Sequence, residues 1–141
     1  MNRPRVLLAD DHEEMRDRIK RTLEVEFDVV DAVGNGRTLL EAAARLNPDI
    51  CLLDISMPVL NGIEAALKLK EHGSKAKVLF LTIHEDPDFL QAALNTGASG
   101  YVVKRRIASD LRPAIRDALA GKTFVSPSAL LPGPRKNARV K

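Results

Sequence analysis

Five polar side chains stand where short apolar runs stop. Asp10 and Asp11 follow residues 6–9, Asp54 follows 50–53, Thr82 follows 78–81, and Lys104 follows 101–103. A carboxylate closing an apolar run cannot fill a core, because burying an unpaired charge costs too much. Three carboxylates brought together repel one another and resist ionising. A hard divalent cation resolves that conflict, and Mg²⁺ is the usual partner of one or two carboxylates plus phosphate oxygens. Thr82 can donate a hydroxyl hydrogen bond, and Lys104 carries a mobile point charge suited to phosphate. A carboxylate nucleophile, a cation, a hydroxyl and an ammonium together suit phosphoryl transfer to aspartate. Asp54 is the expected nucleophile.

The elements that must converge these groups can be read from periodicity. Apolar strands begin near residues 5, 27, 50, 77 and 100. Between them, Met15, Ile19 and Leu23, then Leu39, Leu40, Ala43 and Leu46, then Ile63, Ala66, Leu67 and Leu69, then Phe89, Leu90, Ala93 and Leu94 mark amphipathic helices. The first helix is expected over 12–25 and the second strand over 27–33. Asp86 with Pro87 opens the fourth helix. Ser109 is the expected cap of a fifth helix ending at Gly121, with Pro113 in its first turn. Five strands alternating with helices predict a parallel α/β sheet covered on both faces. Right-handed crossovers put every strand's carboxyl end on one edge, where such sheets bind ligands.

Asp10-Asp11, Asp54 with Met57-Pro58 and Asn61-Gly62, Thr82, and Gly100-Tyr101 before Lys104 resemble the receiver domain of bacterial two-component response regulators. The resemblance spans about 1–121 and implies a flavodoxin-like doubly wound sheet of order 2-1-3-4-5 with five helices. It implies a sensor histidine kinase or phosphotransfer protein as phosphoryl donor to Asp54. It also implies Mg²⁺ held by Asp11, Asp54 and the backbone carbonyl of Ser56, with Asp10 acting through water. Residues 9–12, 97–101 and 121–127 are similar to the NarL/FixJ-like subfamily, whose members normally continue into a DNA-binding domain. The chain departs from the wider family at Arg105, where many receivers have proline after the lysine, and at Ile83, bulkier than usual beside the site. Ser56 and His84 occupy positions that influence phosphoryl lifetime in the family. On phosphorylation, Thr82 and Lys104 are expected to move toward the phosphoryl group and Tyr101 to turn from exposed to buried. The face of the fourth helix, fifth strand and fifth helix would change, and is where a homodimer could form.

The 141 residues fit one domain, with 45% hydrophobic and 29% charged residues, ordinary for a globular protein. Cys51, the single cysteine, lies in an apolar run and reads as an inert buried thiol. No stretch approaches the roughly 18 apolar residues of a membrane span, and a cytoplasmic protein is expected. The formal charge of +3 comes from the tail: setting aside Arg135, Lys136, Arg139 and Lys141 leaves 18 basic against 19 acidic residues. Direct nucleic-acid binding is therefore not expected of the fold. Residues 122–141 read as a linker or basic flexible tail, and the fifteen residues after Ser126 are too few for an output domain. Gly34-Asn35-Gly36 fails as a dinucleotide fingerprint, since Leu39 stands at the third glycine and the turn follows the second strand. An aspartate phosphatase would need a second acid where Ser56 stands, so turnover chemistry is not expected. The competing reading is a pseudo-receiver, an interaction module working without phosphate.

Overall fold

The strands all run parallel because each is returned to the same edge by a helix. A computed structural model describes residues 3–130, with strands β1 (Arg5–Ala9), β2 (Asp28–Val33), β3 (Ile50–Asp54), β4 (Lys77–Thr82), β5 (Gly100–Val103) and β6 (Phe124–Val125). Helices are α1 (Glu13–Leu23), α2 (Gly36–Leu46), α3 (Gly62–Glu71), α4 (Pro87–Asn95), α5 (Ile107–Leu119) and a short α6 (Pro127–Leu130), with a 3₁₀ turn over Lys104–Arg106. The sheet order is β2-β1-β3-β4-β5-β6. The expected order thus holds for five strands, and a sixth is added at the β5 edge.

Alternation along the strands divides the core into two layers. Leu7, Cys51, Leu53, Phe80 and Tyr101 face α2, α3 and α4, where Leu39, Ala66, Leu69 and Ala93 meet them. Val6, Leu8, Ile50, Leu52, Leu79 and Val102 face α1 and α5, packing on Ile19, Leu23, Leu111 and Ile115. Phe27, Phe80 and Tyr101 are among the largest side chains fully withdrawn from solvent.

Several local expectations are met and others corrected. Asn61 caps α3 in a reciprocal box with Glu64, and Asp86 caps α4 ahead of Pro87. The first helix stops at Leu23, where Phe27 N–H folds back onto the Leu23 carbonyl, leaving Val25 exposed. Ser109 does not cap α5: the 3₁₀ turn starts the helix at Ile107, and Ser109 Oγ instead donates to Asp110 Oδ1 at 2.9 Å. Pro113 consequently sits inside α5, beyond its first turn. Residues 122–130 are not a free linker, since 124–125 join the sheet and 127–130 form α6. The basic run from 135 onward lies outside the described residues. Among the described residues, no helix is long and apolar enough to cross a membrane.

Candidate functional site

The carboxyl ends of β1, β3, β4 and β5 meet at one point of the sheet edge. Register pairs Ala9 with Leu53, Asp54 with Leu81 and Thr82 with Val103, so the residues that end these strands become neighbours. Asp10, Asp54, Thr82 and Lys104 are all buried there, whereas Asp11 is more open to solvent. One oxygen each from Asp10, Asp11 and Asp54, with a ring nitrogen of His12, lie within 4.8 Å of one another.

Lys104 ties the carboxylates together. Its Nζ donates to Asp54 Oδ2 at 3.1 Å and lies 2.8 Å from Asp10 Oδ2. The second contact is an ion pair without hydrogen-bond geometry, leaving Asp10 Oδ2 buried with no hydrogen bond. Asp10 Oδ1 accepts from the His12 backbone N–H at 2.9 Å, and Asp54 Oδ1 accepts from the Ser56 N–H at 3.2 Å. Burial pushes the Asp54 carboxyl above the usual carboxylate range; Lys104 opposes that shift and the charge of Asp10 adds to it. For Lys104, burial works against the ammonium, but Asp10 and Asp54 outweigh it and hold the group above its ordinary range. Three carboxylates converging on one point are the hard oxygen donor set that suits a small divalent cation.

The loop after β3 is shaped by a close approach. Gly62, the first residue of α3, donates its N–H to the Ile55 carbonyl at 2.8 Å. A Cβ there would run into the Asp54 carbonyl oxygen, so only glycine lets α3 start against the end of β3. Between them, Val59 adopts the left-handed region (φ 67°), a strained conformation for a β-branched residue.

A second set of contacts leads away from the carboxylates. Thr82 Oγ1 accepts from the His84 N–H at 3.0 Å, and the His84 carbonyl accepts from the Tyr101 hydroxyl at 2.8 Å. The His84 ring stacks on Phe89, centroids 3.9 Å apart, and its Nε2 lies 3.1 Å from Ser56 Oγ. Tyr101 is buried in this conformation. Burial, with the charges of Asp86 and Glu85, raises its phenol well above the ordinary range. Arg105 makes a two-pronged pair with Glu85, joining the loops after β4 and β5.

The structure brings Asp10, Asp11, Asp54 and Lys104 into one cluster, with the Ser56 N–H on Asp54 and Thr82 at the end of the neighbouring strand. Sequence reasoning missed His12 as a member, having read it only as a helix-start residue. It also missed Arg16, whose guanidinium donates to the Asp10 carbonyl at 2.7 Å from inside α1. No local signal marks Arg16, because its partner lies beyond helical spacing.

The family model for "Response regulator receiver domain" matches residues 6–116. The chain is 38% identical over 128 residues to the transcriptional regulatory protein DegU of Brevibacillus brevis, covering 89% of this chain and 54% of that one. It is 35% identical over 129 residues to the nitrate/nitrite response regulator NarL of Escherichia coli K12, covering 90% and 59% respectively. The chain thus spans somewhat over half the length of these curated relatives. The crystal structure of a LuxR-family two-component response regulator from Aurantimonas sp. SI85-9A1 superposes with a TM-score of 0.86 at 31% identity, over 91% of this chain and 93% of that one. With the match covering most of the chain and the strand-end cluster in place, the chain belongs to the response-regulator receiver family, in its NarL-like branch, a family of two-component signalling domains.

Proposed function

We propose that Asp54 accepts a phosphoryl group from the phosphohistidine of a sensor histidine kinase or phosphotransfer protein, and that the α4–β5–α5 face reports it. The observation that carries this reading is the seating of Asp54. One oxygen is held by the Ser56 N–H and the other by Lys104, at the open end of a strand beside Asp10 and Asp11. An Asp54 oxygen attacks phosphorus, an O–P bond forms, the N–P bond breaks, and the leaving imidazole takes up a proton. Asp10, Asp11, Asp54 and the Ser56 carbonyl would hold Mg²⁺, Asp10 through water. When bound, the ion supplies charge neutralisation for the phosphoryl oxygens and the acidic cluster.

Lys104 exchanges one carboxylate contact for a phosphoryl oxygen. Thr82 is prepared for the same role: its oxygen accepts from His84, so its own hydroxyl hydrogen is free to donate. Drawing Thr82 inward pulls on His84, and through the His84 carbonyl on Tyr101. The buried Tyr101 arrangement is then the state that phosphorylation populates further, in a two-state shift. That face is also the proposed homodimer surface. The protein modifies its own aspartate and is not a turnover enzyme. We place it in the cytoplasm, with residues 1–121 as the receiver unit.

The test is an intact-mass measurement after incubation with acetyl phosphate and Mg²⁺. The native protein should gain one phosphoryl group, and Asp54→Ala and an EDTA control should gain none. No gain on the native protein, or an equal gain on Asp54→Ala, refutes the assignment. The competing pseudo-receiver reading leans on Ile83, but that side chain is 70% exposed, standing in solvent rather than sealing the cleft.

A further inference from the structure

Residues 124–126 add to β5 by the ordinary parallel ladder for only part of their length. Phe124 N–H donates to the Ser99 carbonyl at 3.1 Å, and Ser126 N–H donates to the Tyr101 carbonyl at 2.9 Å. The next rung of such a ladder would join the Val103 N–H to the Ser126 carbonyl. That carbonyl is diverted into α6, where it accepts from the Ala129 N–H at 2.9 Å. The Ser126 hydroxyl takes its place, accepting from the Val103 N–H at 3.1 Å.

The same hydroxyl donates to Asp110 Oδ2, 2.7 Å away in α5. Asp110 is completed by Ser109 Oγ on its other oxygen and by Arg106, whose Nε stands 3.6 Å from Oδ2. Ser126 is 0% and Asp110 5% exposed. A buried carboxylate with no part in phosphoryl chemistry thus orients one hydroxyl toward one backbone N–H. That N–H belongs to the residue before Lys104. On its other side, Val103 pairs with Thr82 in β4. Val103 is therefore held between Thr82 in β4 and the Ser126 hydroxyl, and Lys104 is the next residue along the chain.

We propose that Ser126 and Asp110 are positioning residues for Lys104, and that the segment 123–130 they clasp to the edge of β5 responds to the state of Asp54. This rests on the reading that Asp54 is phosphorylated. When Thr82 and Lys104 are drawn to a phosphoryl group, Val103 is held from both neighbours and the clasp tightens. Coupling of this kind is reciprocal: whatever factor the occupied site adds to the clasp, loosening the clasp removes from the occupied site.

Beryllium fluoride with Mg²⁺, a stable mimic of the phosphoryl group, tests it on the full chain. In the native protein, its binding should slow amide hydrogen exchange at Val103, Val125 and Ser126 by about threefold or more, as expected if one hydrogen bond is strengthened. Ser126→Ala should bind the mimic about three- to tenfold more weakly. Ser126→Thr, which keeps the hydroxyl, should restore most of that loss, as a role in general packing would not require. Binding by the native protein with unchanged exchange at these amides overturns the proposal, and this arm does not depend on any variant folding. Ser126→Ala binding as tightly as native, or Ser126→Thr as weakly as Ser126→Ala, also overturns it. If the native protein binds no beryllium fluoride, the receiver reading fails and takes this inference with it.

Discussion

Replacing Lys104 with methionine removes the one ammonium that bridges the two buried carboxylates. Its nitrogen lies 2.8 Å from Asp10 Oδ2 and 3.1 Å from Asp54 Oδ2. At an effective dielectric of about 20, those separations give about 6 and about 5 kcal/mol of attraction before desolvation. Desolvation of three buried charged groups takes back much of that gain, and removing one partner of a buried pair costs about 3–5 kcal/mol net. Lys104→Met should therefore lose about 3–5 kcal/mol of unfolding free energy in EDTA. Against a typical stability of about 5–15 kcal/mol, folded protein remains to be measured.

Mg²⁺ makes the experiment specific to the site. Without Lys104 the acidic cluster is one unit more negative, so a divalent cation is worth more to the variant than to the native protein. A site about tenfold tighter would recover about 1.4 kcal/mol beyond what Mg²⁺ gives the native chain. Urea unfolding followed by circular dichroism, in EDTA and in saturating Mg²⁺, reads both quantities. Equal midpoints for variant and native in EDTA would refute the buried triad. Equal stabilisation of both by Mg²⁺ would refute the assignment of these carboxylates as its ligands.

Four other measurements probe the site and the core around it. Tyr101→Phe keeps the buried ring but loses the hydrogen bond to the His84 carbonyl, and should cost about 1 kcal/mol of stability and weaken any phosphorylation-dependent dimerisation measured by sedimentation. In the native protein, the phenolate absorbance of Tyr101 should appear only well above the pH at which free tyrosine ionises, because burial disfavours the charged form. Gly62→Ala should lose about 1–3 kcal/mol in a denaturant titration, because overlap with the Asp54 carbonyl outweighs the gain in helix propensity. Cys51, fully buried with its thiol pushed up to about 12, should resist a colorimetric thiol reagent until the chain unfolds, then react at once.

What could be read from the sequence was what apolar periodicity and abrupt polarity encode. Residues 50–53 stop at Asp54 and residues 101–103 stop at Lys104; parallel topology alone brings such ends together. The misreadings share one cause, which is that tertiary contacts decided a local choice. Ser109 carries a capping hydroxyl, but the turn over Lys104–Arg106 begins the helix early and leaves that hydroxyl to Asp110. Strand β6 is two residues long, too short for alternation to announce, and exists because β5 offers it an open edge. Tyr101 as a residue type says nothing of which rotamer it takes, and the carbonyl that accepts from its hydroxyl lies seventeen positions earlier.

The strand-end cluster gathers costs as well as contacts. Asp10 Oδ2 lacks a hydrogen bond, Asp54 is held above its ordinary range by burial, and Val59 keeps a backbone conformation that costs about 1–3 kcal/mol. The two apolar layers on either face of the sheet hold these groups in place without sharing their chemistry. Because the unfavourable terms sit together at one edge, a new charge on Asp54 changes several of them at once. On the proposed reading Lys104 would gain a phosphoryl oxygen and Thr82 an acceptor; Thr82 is linked through His84 to Tyr101, and the residue before Lys104 is hydrogen-bonded to Ser126. A rigid scaffold with a frustrated edge can respond to one covalent bond, whereas a fully satisfied edge would have no second arrangement of comparable free energy to adopt.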